Sequence, residues 1–389
     1  MTSAMQAPPA PGRTTSKAPL PEVSPDLPPP SAPVPGAGRP RLHALDGLRF
    51  VAASAVLLYH FTGTGQDYWG GTPSTAFPNV NEVSRYGFLG VEVFFVISGF
   101  AILLTAYDRP LRGFVASRVG RLFPAYWVAI GLTVLLQAVW SGGRAPSALD
   151  TVLNLTMMQD PFGATSVQVV FWTLLVELKF YLLMGLLVAV GVTRERVIGL
   201  AVLWPLLGQL AKDSGSDLVT TLLVPDYAPY FAVGMLLYLV VRDGNDAAVW
   251  LGIGLNLLLC VRLLTRYSVH ASDITGEPVR AGVCVAVFLA MAALVWCVTA
   301  GPLAHLSWRW LTTLGALTYP LYLVHSQLGY AVIDELHDVV PGRLVLVIAT
   351  ALSVALAWLI HRCVERPFGP RLRAAVDRGL SRRTATAPA

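Results

Sequence analysis

Ten segments dominated by apolar residues recur along the chain, near 48–66, 87–106, 122–140, 171–191, 197–211, 229–241, 248–264, 279–299, 311–332 and 343–361. Most approach the roughly 20 residues with which a helix crosses a bilayer; the fifth and sixth are shorter. Lipid offers backbone groups no water, so a crossing segment must be a helix or part of a closed barrel. The strict alternation of a barrel strand is absent, so the expectation is an all-α integral membrane protein: a bundle of about ten transmembrane helices over residues 42–368. Residues 1–41 are rich in Pro, Ala and Ser and cannot bury a core, which predicts a disordered tail. They lack the apolar stretch of a signal peptide and are expected to stay attached. Residues 369–389 form a short basic tail carrying Arg371, Arg373, Arg378, Arg382 and Arg383.

Composition agrees: of 389 residues, 54% are hydrophobic and 13% charged, against about 25% charged in soluble domains. Charge then sets orientation. With the N-terminus inside, one face receives Arg39, Arg41, Arg109, Arg112, Arg118, Arg121, Arg194, Arg196, Arg242, Arg309, Arg362 and Arg366. The other holds Arg85, Arg144, Lys212, Arg266, Arg280 and Arg343, spread over longer loops. The excess of basic residues on cytoplasmic loops places both termini in the cytoplasm, consistent with an even number of spans. Lysines are few (Lys17, Lys179 and Lys212), which reads as a GC-rich bacterial genome rather than a nucleic-acid binder; the expected location is the bacterial plasma membrane. The four cysteines (Cys260, Cys284, Cys297, Cys363) lie in or beside apolar runs without paired spacing, so buried thiols are expected and neither disulfides nor a metal site.

Charged groups inside a bilayer cost at least about 2.5–3.5 kcal/mol and face the bundle interior for a reason. Arg49 and His60 are eleven residues apart in an apolar segment. Eleven helical steps turn about 20° past three full turns, so both lie on one face, about 16 Å apart along the axis. Arg49 then sits near a surface and His60 well inside. Glu92, Glu177, Lys179 and His325 are the other candidates among intramembrane ionisable residues. Tyr181, four residues after Glu177, shares its helix face, whereas Lys179 points the other way. The stretch Gly87–Phe100 contains small residues that permit close packing of helices, together with Glu92 and Ser98. Arg109, Arg112, Arg118 and Arg121 cluster after the second span, with Arg118 and Arg121 on one face; guanidinium forks suit phosphate oxygens, though such clusters also serve as topology anchors at lipid headgroups.

Several stretches together resemble the membrane acyltransferase-3 family: Leu45-Asp46-Gly47-Leu48-Arg49 leading to His60; Gly87-Phe88-Leu89-Gly90-Val91 through Ile97-Ser98-Gly99-Phe100; Arg118-Val119-Gly120-Arg121-Leu122-Phe123-Pro124-Ala125-Tyr126-Trp127; Phe171-Trp172 with Glu177 and Phe180-Tyr181; Leu317 to His325; and Val364-Glu365-Arg366-Pro367. They stand in family order from about 45 to 367. The resemblance implies a ten-helix bundle that moves an acyl group, acetyl by default, from acyl-CoA to a hydroxyl of a sugar, glycolipid or antibiotic-like acceptor. It implies acyl-CoA as cosubstrate, no bound cofactor and no metal. Arg49 and His60 are then essential for transfer. His60 acts as general base with Glu177 orienting or charge-stabilising it, Arg118, Arg121 and Arg49 hold the donor phosphates, and Trp172, Tyr181 and His325 line the substrate cavity. The family's fourth-helix motif usually continues from the glutamate with polar residues, often Glu-Gln, where this sequence has Leu178 and Lys179. Some family members carry an attached extracellular hydrolase-like domain, for which this sequence has no room. Ser98 is the serine to suspect in a covalent route. A transporter of a polar or acylated solute would need similar buried polar residues; the ordered motifs and the lack of an inverted repeat favour the enzyme.

Overall fold

The computed structural model describes residues 42–386 apart from positions 108, 141 and 144, with side chains to Arg382. The predicted disordered tail of 1–41 lies outside the described residues. Among the described residues every regular element is helical. Helix α1 (His43–Leu58) runs without a break into one π turn, Tyr59–Gly63. There follow α2 (Leu89–Ala106), α3 (Leu111–Val139), α4 (Trp172–Val190), α5 (Arg194–Asp213), α6 (Ala228–Asp243), α7 (Ala247–Thr275), α8 (Ala281–Thr299), α9 (Arg309–Leu336), α10 (Gly342–Ile360) and α11 (Arg366–Thr386). The first ten cover the ten apolar segments of the sequence. Eight stretches of the described residues are long and apolar enough to cross a membrane; α5 and α9 do not reach that apolarity. Helix α5 opens on Arg194-Glu195-Arg196, and α9 carries Thr318, His325, Ser326 and Gln327, polar positions that lower its average.

Local chemistry sets the ends. Asp246 accepts hydrogen bonds from the amides of Ala248 and Val249 at 2.9 and 3.2 Å to cap α7. Gly191 and Gly244 stop α4 and α6 with φ of +93° and +86°, a region that side-chain-bearing residues avoid.

Helix α6 is the centre of the bundle, with every residue from Ala228 to Val240 buried. It crosses α2 at a point where the two backbones touch. A Cβ on Gly99 would lie 2.1 Å from the Phe231 carbonyl oxygen, and one on Gly234 would lie 1.9 Å from that of Val96. Gly87 and Gly90 likewise admit the carbonyls of Ala55 and Ala52 on α1. The small residues of the second segment therefore do what their spacing predicts: they bring helices to backbone contact.

Two long connections, 64–88 between α1 and α2 and 140–171 between α3 and α4, meet at one end of the bundle through Tyr68 and Trp140, whose ring centroids are 5.6 Å apart. This is called the loop end; the opposite end carries Arg49, Arg118 and Arg121. Asn154, fully buried, organises the second connection. Its amide donates to the carbonyls of Asp150 and Thr165, both at 2.8 Å, and its Oδ1 accepts from the Val167 amide at 3.1 Å. Replacing Asn154 by leucine removes all three bonds and strands buried backbone groups, at about 1–3 kcal/mol each. The expected result is faster proteolytic cleavage between 140 and 171 with the helices intact, measured by limited proteolysis; a cleavage rate equal to wild type would deny Asn154 this role.

At the arginine end the described part of the basic segment after 368, to Thr386, is helical and folds back along α3. Gly120 meets the Gly369 carbonyl oxygen, which a Cβ would approach to 2.7 Å. Arg112, Arg118 and Arg121 of the arginine cluster are helical too, because α3 begins at Leu111, whereas Arg109 precedes it.

Candidate active site

His60 sits on the π turn at the end of α1, where the Thr64 amide reaches back five residues to the Tyr59 carbonyl at 2.9 Å. Single π turns inside helices are rare and concentrate at functional sites. The turn is held from outside: the Trp69 indole donates to the Phe61 carbonyl at 2.8 Å and the Asn81 amide to that of Thr62 at 2.8 Å. Gly329 of α9 leaves room for Phe61, whose ring a Cβ would meet at 2.0 Å. Both the backbone and the neighbouring side chain of His60 are therefore fixed.

The partner of His60 is His325. Nε2 of His325 lies 3.2 Å from Nδ1 of His60, and both imidazoles are buried. The proton positions follow from the acceptors around them. His325 Nδ1 faces the carbonyls of Leu321 and Tyr322 at 3.1 and 2.9 Å, so it carries the proton and its Nε2 is an acceptor. His60 Nδ1 faces the Val56 carbonyl at 2.8 Å and that same His325 Nε2, two acceptors, so it too carries the proton. The lone pair of neutral His60 is then on Nε2, the nitrogen left for a substrate. Tyr330 (6.4 Å between ring centroids) and, stacked on it, Tyr68 (4.6 Å) lie between this pair and the loop end.

The second layer lies toward the arginine end. Glu177 accepts from the Tyr181 hydroxyl at 2.5 Å and from Ser98 at 3.1 Å. The Arg118 guanidinium lies 5.8 Å from the centre of the Tyr181 ring, and its buried Nε has no hydrogen-bond partner. Arg49 bonds Asp46 at 3.3 Å and is in electrostatic reach of Arg121, Tyr181 and Glu177. These contacts bring Arg49, Arg118, Arg121, Glu177 and Tyr181 into one layer. The hydrogen bonds of Glu177 run to Ser98 and Tyr181, and those of His60 to Val56 and His325, so the carboxylate belongs with the arginines rather than with the imidazole. Between the layers stands Tyr322, 2.7 Å from the Thr173 hydroxyl and 5.8 Å from His325 by ring centroids.

Trp172 and Lys179 are on another face of α4. With Asp160, Asp217, Asp226 and Tyr227 they line an open cleft of about 670 Å³, where Trp172 packs on Tyr227 at 5.3 Å. Glu92 is also buried, with Oε2 unpartnered. Among the described residues no cluster of His, Cys, Asp and Glu has the makings of a metal site, and the four cysteines are unpaired. The pairing of His60 with His325 has no signature in local sequence, because 265 residues separate them.

The acyltransferase-3 family model, described as an acyltransferase domain, matches residues 42–362. A putative peptidoglycan O-acetyltransferase of Bacillus subtilis, YrhL, is 30% identical over 167 residues, 38% of this chain and 24% of its own. The peptidoglycan O-acetyltransferase OatA of Listeria monocytogenes is 29% identical over 160 residues, 36% of this chain and 23% of its own. The matched region thus spans about a quarter of each of these relatives. No solved structure matches the chain. With His60, His325 and the arginine layer all inside the matched region, the chain belongs to the acyltransferase-3 family.

Proposed function

We propose that this protein is a ten-span bacterial plasma-membrane O-acyltransferase with both termini in the cytoplasm. It moves an acyl group, acetyl by default, from acyl-CoA to a saccharide hydroxyl of the cell envelope, with His60 as general base. The observation that carries this reading is the proton arrangement at His60: Nδ1 is committed to Val56 and His325, which presents Nε2 as a base inside the bundle. The acceptor class rests on the relatives, both named for O-acetylation of peptidoglycan.

The chemistry divides between the two layers. Arg118, with its orphaned Nε, and Arg121 offer guanidinium groups to the donor phosphates, with Arg49 beside them. The thioester end of the donor then extends past Tyr322 toward His60. His60 Nε2 takes the acceptor hydroxyl proton as the oxygen attacks the thioester carbonyl; the intermediate collapses, the carbon–sulfur bond breaks, and Nε2 returns that proton to the thiolate. Imidazole suits both transfers because its basicity lies near neutrality. Glu177, held by Ser98 and Tyr181, balances the charge of the arginine layer when no donor is bound.

The test uses protein in proteoliposomes with labelled acetyl-CoA and isolated peptidoglycan fragments, following CoA release and labelled product. Alanine at Arg118 or Arg121 is expected to raise the KM for acetyl-CoA about 10-fold or more, the equivalent of one charge-assisted hydrogen bond, and to change kcat less. Acyl transfer with an unchanged donor KM in both variants would remove these arginines from the donor site. Absence of thioester consumption with any acyl-CoA or envelope extract would overturn acyl-CoA as donor.

A further inference from the structure

We infer that His325 is a positioning residue for the base: it supplies, as a neutral imidazole, the acceptor that orients His60 and shares the proton charge when His60 becomes protonated. The inference rests on His60 being the base. In many His-based sites that acceptor is a carboxylate, which fixes the tautomer and stabilises the imidazolium. Here no described carboxylate hydrogen-bonds His60: Glu177 is held by Ser98 and Tyr181, Asp334 by the Trp140 indole at 2.8 Å, and buried Glu92 leaves Oε2 unpartnered. What faces His60 Nδ1 from another helix is His325 Nε2.

The geometry makes this acceptor a fixed one. His325 is 1% exposed, and its Nδ1–H is tied to its own helix through Leu321 and Tyr322. The ring cannot swing away or present its other nitrogen without breaking those bonds. Neutral His60 shares its Nδ1–H between Val56 and His325 at 2.8 and 3.2 Å. When Nε2 takes the acceptor proton, Nδ1–H becomes part of an imidazolium, and its hydrogen bonds to both partners strengthen as charge-assisted bonds. Part of the positive charge then spreads to His325, one ring away from the reacting oxygen. Should the Nδ1 proton pass to His325 Nε2, the Leu321 and Tyr322 carbonyls already solvate the resulting imidazolium through Nδ1–H. It returns along the same bond before the thiolate is protonated, so no net proton is gained or lost.

A buried carboxylate in this position would carry a permanent charge into the bilayer, at several kcal/mol. Two neutral imidazoles avoid that until the moment of proton transfer. The arrangement therefore fits a base that works at membrane depth.

Three substitutions separate this role from packing. Glutamine at 325 keeps an acceptor near the position of Nε2 but loses the ring; phenylalanine keeps the ring and loses the acceptor; leucine loses both. If His325 positions the base, His325→Gln retains at least about a tenth of wild-type kcat, while His325→Phe and His325→Leu fall by about 100-fold, with KM for acetyl-CoA within about twofold of wild type. In a His60→Ala background the same changes have no further effect on the residual rate, because the partner acts only through His60. A packing role predicts the reverse order, with phenylalanine the best tolerated, and that order would overturn the inference. So would additive losses in the double variants. The foundation is tested separately: wild-type activity surviving in His60→Ala removes the base itself, whereas loss in His60→Ala with full activity in His325→Phe removes only the role given to His325.

Discussion

Replacing His60 with alanine is expected to lower kcat/KM for acyl transfer by about 10²–10⁴-fold, the usual worth of a positioned general base. The fold has little reason to follow. The hydrogen bonds of this side chain run to the Val56 carbonyl of its own helix and to His325, while the π turn is held by Trp69 and Asn81 through main-chain atoms. Loss of the ring leaves His325 Nε2 without its donor, a cost of about 1–3 kcal/mol. Protein recovered as a single species in detergent, with a melting point a few degrees lower, should still bind acetyl-CoA, because the arginine layer lies about 16 Å along the helix from this position at 1.5 Å per residue. Free imidazole added to the variant should restore part of the rate by occupying the vacated site beside His325. A folded His60→Ala protein transferring acyl groups at the wild-type rate would remove general-base catalysis by this residue altogether.

Much of the site is written in local sequence. The phase between Arg49 and His60 survives because ten of the eleven steps between them end within α1 or at the first residue of the π turn. Tyr181 meets Glu177 because four residues separate them on one helix. The glycines at 87, 90 and 99 announce close crossings. What lies beyond local sequence is the partner across a crossing. Glu177 and His60 look like a catalytic pair by residue type, yet depth decides. Glu177 is tied to Ser98 and Tyr181 in the layer of the arginines, and the acceptor beside His60 comes from α9. Hydropathy also weakens where function is densest. Helix α9 bears His325, Ser326 and Gln327 within three consecutive positions, and this same polarity keeps it below the apolarity of the eight stretches able to span a membrane on composition alone. Ser326 is nonetheless fully buried, with its hydroxyl 2.6 Å from Gln168 of the 140–171 connection. Averages over a window erase such pairings, because a polar side chain bonded inside a bundle and one facing solvent count alike.

A change of Gly234 to leucine should cost the fold itself. The crossing of α2 and α6 has no space to give: the Cβ positions of Gly234 and Gly99 fall 1.9 and 2.1 Å from carbonyl oxygens of the opposite helix. Those obstacles are backbone, which has no rotamer to change, so the helices must separate along a contact in which α6 is buried from Ala228 to Val240. Overpacking a core typically costs about 1–3 kcal/mol, and more when the main chain must move. Net stabilities are on the order of 5–15 kcal/mol. The expected outcome for Gly234→Leu is loss of monodisperse protein on size exclusion in detergent, and for Gly234→Ala a melting point lowered by several degrees. Because Gly99 faces the same crossing, the double change Gly99→Ala with Gly234→Ala should cost less than the sum of its parts, the first separation making room for the second. Gly131 and Gly254, where an added Cβ meets nothing within 4 Å, provide the control; alanine there should leave the melting point unchanged or slightly raised. Neither Gly234 nor Gly99 belongs to the His60–His325 pair or the arginine layer. Activity lost in parallel with folded protein, at constant rate per folded molecule, is therefore the signature of a packing role. A stable Gly234→Leu protein would mean that α2 and α6 are not in backbone contact.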